Sequence, residues 1–143
     1  MGDDAGGGED RKSDSGAAGS RDATKVAACR KLIVRIFSDV LPELTKSYRI
    51  VPDGMARMVI REYLSSEKKQ DTMVGFFLNS KVFQKLDEDD KKTLAICDSD
   101  DFLFGLEHYI ELPKVRVIRD VLREKQDDFE AALQRGKRRV GWV

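Results

Sequence analysis

From residue 22 onward, apolar side chains recur at three- and four-residue intervals: Val26, Cys29, Ile33, Ile36 or Phe37, Val40 and Leu44, with Lys25, Arg30, Lys31 and Arg35 between them. This is the period of one face of an α-helix. Asp22 or Thr24 is suited to cap its start, and Pro42, which lacks an N–H, is expected to kink the helix or end it near Asp39, giving one long bent helix or two. Pro52 and Gly54 then mark a loop, with residues 48–51 as a brief extended segment. Beyond it, Met55, Met58, Val59, Tyr63 and Leu64 form the stripe of a second amphipathic helix.

A third helix, begun by Ser66 or Asp71, carries Met73, Val74, Phe76, Phe77 and Leu78. It is apolar on nearly every side, which predicts a central position. Residues 81–86 suit one further turn or a short helix. Asp89 or Asp90 opens a fourth through Leu94, Ala95 and Ile96, since negative side chains favour a helix N-terminus. Asp98 and Ser99 mark another cap, followed by Phe102, Leu103, Phe104, Leu106, Tyr109 and Ile110 up to Pro113. The last predicted helix covers residues 114–135, with Val117, Ile118, Val121, Leu122, Phe129, Ala132 and Leu133 inward and Gly136 at its stop. No Asn-Gly or Asp-Gly turn joins two alternating runs, and no repeat of 20 to 50 residues is visible. The expected fold is all-α, a compact orthogonal or bundle-like domain of five to seven helices over residues 22–135.

Composition sets the flanks apart. Residues 1–21 hold six glycines and, after Met1, no aliphatic side chain larger than Ala. Such a segment buries too little apolar area to offset its ordering entropy and is predicted to be a disordered tail. Within it, Asp14-Ser15-Gly16 followed by Ser20 resembles the Asp-Ser-Gly-x-x-Ser phosphodegron read by an F-box ubiquitin-ligase adaptor, with one extra residue in the spacer. Phosphorylated Ser15 and Ser20 would present acceptors to arginines, although a polar linker is the plainer reading. Residues 136–143 form a basic tail in which Lys137, Arg138 and Arg139 precede Trp142.

Charge is balanced, 26 basic against 26 acidic residues, so nothing global points to nucleic acid or an anionic membrane. The N-terminus is acidic with no apolar signal region, and no apolar run approaches the roughly 20 residues that span a bilayer. Met1-Gly2 matches a myristoylation start only in those two residues, because Gly6 stands where Ser or Thr is needed. Cys29 and Cys97 are isolated in apolar settings and read as small buried hydrophobes, which fits a reducing cytoplasmic or nuclear compartment.

The chemistry-bearing residues are few. His108 is the one histidine, and neither cysteine sits in a Gly-rich elbow or beside a basic helix start, so a Cys-His nucleophile is not supported. One histidine and two separated cysteines make no zinc set, and neither acidic run keeps EF-hand register, since Lys91 and Lys92 or Phe102 and Leu103 fall where a ligand and a glycine belong. No cofactor is expected. The remaining candidates are for binding: Met55, Met58, Met73, Phe76, Phe77, Phe102 and Phe104 as an adaptable apolar groove for a protein partner, or else as plain core, and Trp142 as a contact or a core-completing residue. The expected function is a non-enzymatic protein-protein interaction module, an adaptor or assembly subunit. Nucleic-acid or chromatin binding through Lys137, Arg138 and Arg139 is the alternative.

Overall fold

A computed structural model describes residues 21–141. Ser15, Ser20 and Trp142 therefore lie outside the described residues. The chain runs α1 (Ala23–Lys46), α2 (Asp53–Tyr63), α3 (Glu67–Phe77), α4 (Ser80–Gln84), α5 (Glu88–Ala95), α6 (Ser99–His108), α7 (Val115–Glu124) and α8 (Gln126–Arg139). The fold is all-helical, with no strand among the described residues. Residues 48–51 make consecutive turns, Tyr48 N–H donating to Thr45 O and Val51 N–H to Tyr48 O, so the extended segment expected there is absent.

The caps are local and polar. Asp22, Ser66, Asp87 and Asp98 each accept the N–H of the third residue onward, and Asp98 and Asp101 form a reciprocal capping box. Asp87, not Asp89 or Asp90, caps α5, and those two residues instead occupy its first turn. Pro42 neither ends nor splits α1, which is continuous across it. Pro42 and Ser38 are both exposed, so the Ser38 carbonyl that loses its intrahelical donor is open to water.

Helix α1 forms the centre of the domain, packed by α6, α5 and α3, while α8 covers α3 and α7 joins α6 to α2. The central position expected for α3 belongs to α1, whose buried stripe runs from Cys29 to Thr45. At its middle, four phenylalanines from four helices pack together. Phe37 lies 5.4 Å from Phe77 and 5.8 Å from Phe102 between ring centroids, and Phe129 lies 6.0 Å from Phe77 and 6.1 Å from Phe102. Tilted and edge-on contacts of this kind add about 0.5–1.5 kcal/mol per pair beyond area burial.

The single last helix expected over residues 114–135 is two helices broken at Lys125. Residues 123–128 are all polar, so the inner stripe lapses for a turn. Its two halves then address different neighbours, α6 and α2 before the break and α3 after it. Helix α8 also continues past Gly136, which is buried where α8 approaches α3: a Cβ there would meet Val74 Cγ1 at 2.6 Å. Gly105 plays the same part between α6 and α1, where a Cβ would lie 2.5 Å from Ile33 Cγ2 and 2.9 Å from Phe37 Cδ2.

Two alanine substitutions should therefore move stability in opposite directions. Gly105→Ala is expected to destabilise by about 1–3 kcal/mol through overpacking. Gly75→Ala, inside α3 with nothing within 4 Å of its Cβ position, is expected to stabilise by about 0.5–1 kcal/mol through helix propensity. Urea titration of the two variants checks both signs.

Candidate functional site

Helix α2 has three faces, and the described residues engage two of them. Ala56 and Ile60 point into the core with Leu64 just beyond. Asp53, Arg57 and Arg61, again four residues apart, pair with α7 and its lead-in. Asp53 meets Lys114 at 2.5 Å, Arg57 meets Asp120 at 3.4 Å, and Arg61 donates twice to Glu124 at 2.9 and 2.7 Å. The third face carries Met55, Met58 and Val59, 58%, 68% and 46% exposed, and Ile50 in the preceding turn is 92% exposed. Met55, Met58 and Val59 share the face of α2 turned away from the core and from α7, and methionine is the apolar side chain that adapts most readily to an irregular surface.

The groove expected from seven apolar residues does not form as one unit. Met73, Phe77 and Phe102 are buried in the core, Phe77 and Phe102 within the phenylalanine cluster, and Phe76 is half-buried against it. Met55 and Met58 lie on α2. Phe104 lies apart from them, on an open groove between α1 and α6 that Val26, Arg30, Lys31, Val34 and His108 also line.

Nor do the basic residues act together. Lys137 is buried, and its ammonium donates to Ala95 O at 3.1 Å and to Cys97 O, so it caps the C-terminal end of α5 instead of standing in a tail. Burial pulls its pKa below the ordinary lysine value. Arg139 lies 3.6 Å from Asp71, and of these three residues Arg138 is exposed with no ion pair to another described residue.

Proximity of the cysteines was not legible in the sequence. Cys29, Cys97 and Asp101 are all buried, with their ligand atoms within 4.8 Å of one another. Both thiols donate to Thr93 O, at 3.7 and 3.3 Å. Asp101 accepts from Arg21, from Arg30 Nε at 3.2 Å and from the Asp98 N–H at 3.1 Å. Burial opposes the Arg21 charge, but Asp101 and then Asp98 hold its pKa above the ordinary value. Burial also pushes the Cys97 thiol well up, with Cys29 adding to the effect, and burial followed by Asp101 raises Asp98.

The three ligand atoms are the nucleus of a metal set, but Arg21, Arg30 and Lys137 already supply positive charge around them. Both thiols already donate to Thr93 O, and Asp101 already accepts from Arg21, Arg30 and the Asp98 N–H. The cluster therefore reads as a structural tie between α1 and the α5–α6 corner. His108 is exposed, its ring 4.9 Å from that of Tyr109, and seven residues along α6 from Asp101, a separation of about 10 Å at 1.5 Å per residue. It does not meet either thiol.

The ladder on α2 has a pH signature. Lys114 holds the Asp53 carboxyl below the usual range, and Arg61 does the same for Glu124. The unfolded chain therefore binds more protons than the folded one near the folded pKa values, so the ladder stabilises above the ordinary carboxylate range and is lost as pH falls through the folded values. The Tm difference between wild type and an Asp53→Asn, Glu124→Gln double variant should be largest at neutral pH and shrink toward zero below about pH 4. Thermal unfolding across that range measures it. Comparison with models of known protein families, with characterised proteins and with solved structures finds no match for this chain.

Proposed function

We propose that this chain is a non-enzymatic helical interaction module, an adaptor or assembly subunit, that docks a protein partner through the outer face of α2. The observation that carries the reading is the exposure of Met55, Met58 and Val59 on a helix whose other two faces are already engaged, with Ile50 exposed in the turn before it. Exposed apolar area costs solubility unless it is covered part of the time. An α-helix presenting residues at i, i+3 and i+4 is the geometry of helix-face docking, and the partner supplies the complementary apolar surface. The ladder to α7 holds the face outward, so docking requires no rearrangement of the domain. No helix among the described residues is long and apolar enough to cross a membrane, and the two buried free thiols suit a reducing cytoplasmic or nuclear compartment.

Nucleic-acid binding through the basic end loses support because Lys137 caps α5 and Arg139 pairs with Asp71, which leaves Arg138 alone.

The test compares wild type with a Met55→Ser, Met58→Ser double variant as bait in a native extract at low and moderate salt. The variant should unfold within a few tenths of a kcal/mol of wild type, because it changes exposed positions only. Wild type is expected to retain a defined partner at moderate salt, and the variant to lose it. Retention by the double variant contradicts the reading. Capture that vanishes with salt and follows Arg138→Ser contradicts it in favour of nucleic acid.

A further inference from the structure

The surface between α1 and α6 differs in kind from the α2 face. It is an open groove of about 700 Å³ with an apolar floor of Ala23, Val26, Ala27, Val34 and Phe104. Ala23 to Val34 spans twelve residues of α1, about 16 Å or three helical turns. Four basic side chains, Arg21, Arg30, Lys31 and His108, also line it, and among the described residues no acidic one does. Their roles are unequal. Arg21 is committed to Asp98 and Asp101.

Arg30 is held differently. Its Nε donates to the buried Asp101 at 3.2 Å, and its guanidinium carbon sits 4.9 Å from the centre of the Phe104 ring. These two contacts fix the plane of the guanidinium, and its terminal nitrogens have no partner among the described residues. A planar fork locked by a buried carboxylate and an aromatic face is preorganised to receive an incoming carboxylate. Lys31, exposed and without an ion pair among the described residues, adds a second cation at the rim.

We propose that this groove is a second docking surface, and that its occupant is an acidic amphipathic helix of a protein partner. Apolar side chains one turn apart would lie along Val26, Ala27, Val34 and Phe104, and a carboxylate would reach Arg30, with a further one near Lys31. Charge complementarity selects the acidic partner over a basic one. Length and an apolar floor fit three turns of helix. The proposal extends the docking reading to a different face and stands independently of α2. If both surfaces are used, the domain bridges two partners.

The experiment titrates the full chain into two fluorescein-labelled synthetic helical peptides with identical Leu positions, one carrying Glu and the other Lys at the remaining sites, and follows anisotropy. The Glu peptide is expected to bind saturably and the Lys peptide not to bind. Phe104→Ala and Lys31→Glu should each weaken binding by about tenfold, the loss typical of an anchor residue, with unchanged thermal unfolding in Lys31→Glu and a lowered but still cooperative transition in Phe104→Ala. Arg30 is left intact because it also neutralises Asp101. Met58→Ser should bind the Glu peptide as wild type does, which separates this surface from the α2 face. Equal binding of both peptides overturns the proposal, as does binding that survives both groove variants. Loss in Met58→Ser would move the peptide to α2, and capture by anionic phospholipid vesicles in place of the Glu peptide would make the groove a lipid surface. Either result also overturns it.

Discussion

The contact among Phe37, Phe77, Phe102 and Phe129 is the constraint from which the rest of the arrangement follows. Each ring comes from a different helix, α1, α3, α6 and α8, and these are far apart in the chain. Fixing the rings together fixes four axes at once. It also demands close backbone approach, and the domain meets that demand with Gly105 between α6 and α1 and Gly136 between α8 and α3. Interiors packed at crystal-like density tolerate little change in volume. The glycines and the rings are therefore one structural solution.

Around this apolar centre, polar side chains fasten the periphery. The Asp98–Asp101 capping box starts α6 and draws in Arg21 and Arg30, so the beginning of α1 is tied to the α6 N-terminus. Lys137 does the corresponding work at the end of α5, reaching from α8 to two backbone carbonyls. A buried ammonium is costly unless it is fully hydrogen-bonded, and free carbonyls at a helix end supply the acceptors and a favourable dipole. These ties leave few apolar groups outside. Those that remain lie mainly on the outer face of α2 and beside Phe104, and this gives the proposed interaction surfaces their location.

Much of the fold was legible in the sequence because it depends on local rules. Helix periodicity, the all-α class and a polar cap at Asp22 or Thr24, at Ser66 or Asp71 and at Asp98 or Ser99, of which the first of each pair is the one used, are statements about neighbouring residues. What was not legible depends on tertiary competition. In α2, the stripe of Met55, Met58 and Val59 looks like a core face by its spacing, yet the core takes Ala56 and Ile60 and the methionines stay outside. The same competition took Met73, Phe77 and Phe102 inside. Gly136 has the composition of a helix stop but serves as a contact point, a role visible only once α3 is placed against α8. The break at Lys125 did leave a sign, six consecutive polar residues across what would have been an inner turn. The meeting of Cys29 with Cys97 and Asp101 left none, since it requires α1 to lie along the α5–α6 corner.

The central claim is this partition of apolar side chains between the core and the exposed face of α2, and the methionines report it directly. Peroxide converts a thioether to its sulfoxide at a rate set by exposure. The measurement is a time course of peroxide oxidation of the native chain, read residue by residue by peptide mass spectrometry. Met55 and Met58 should oxidise fast and Met73 only as slowly as the domain unfolds. Oxidation of Met73 at the rate of Met58, or protection of Met55 and Met58 in the monomer, would contradict the account.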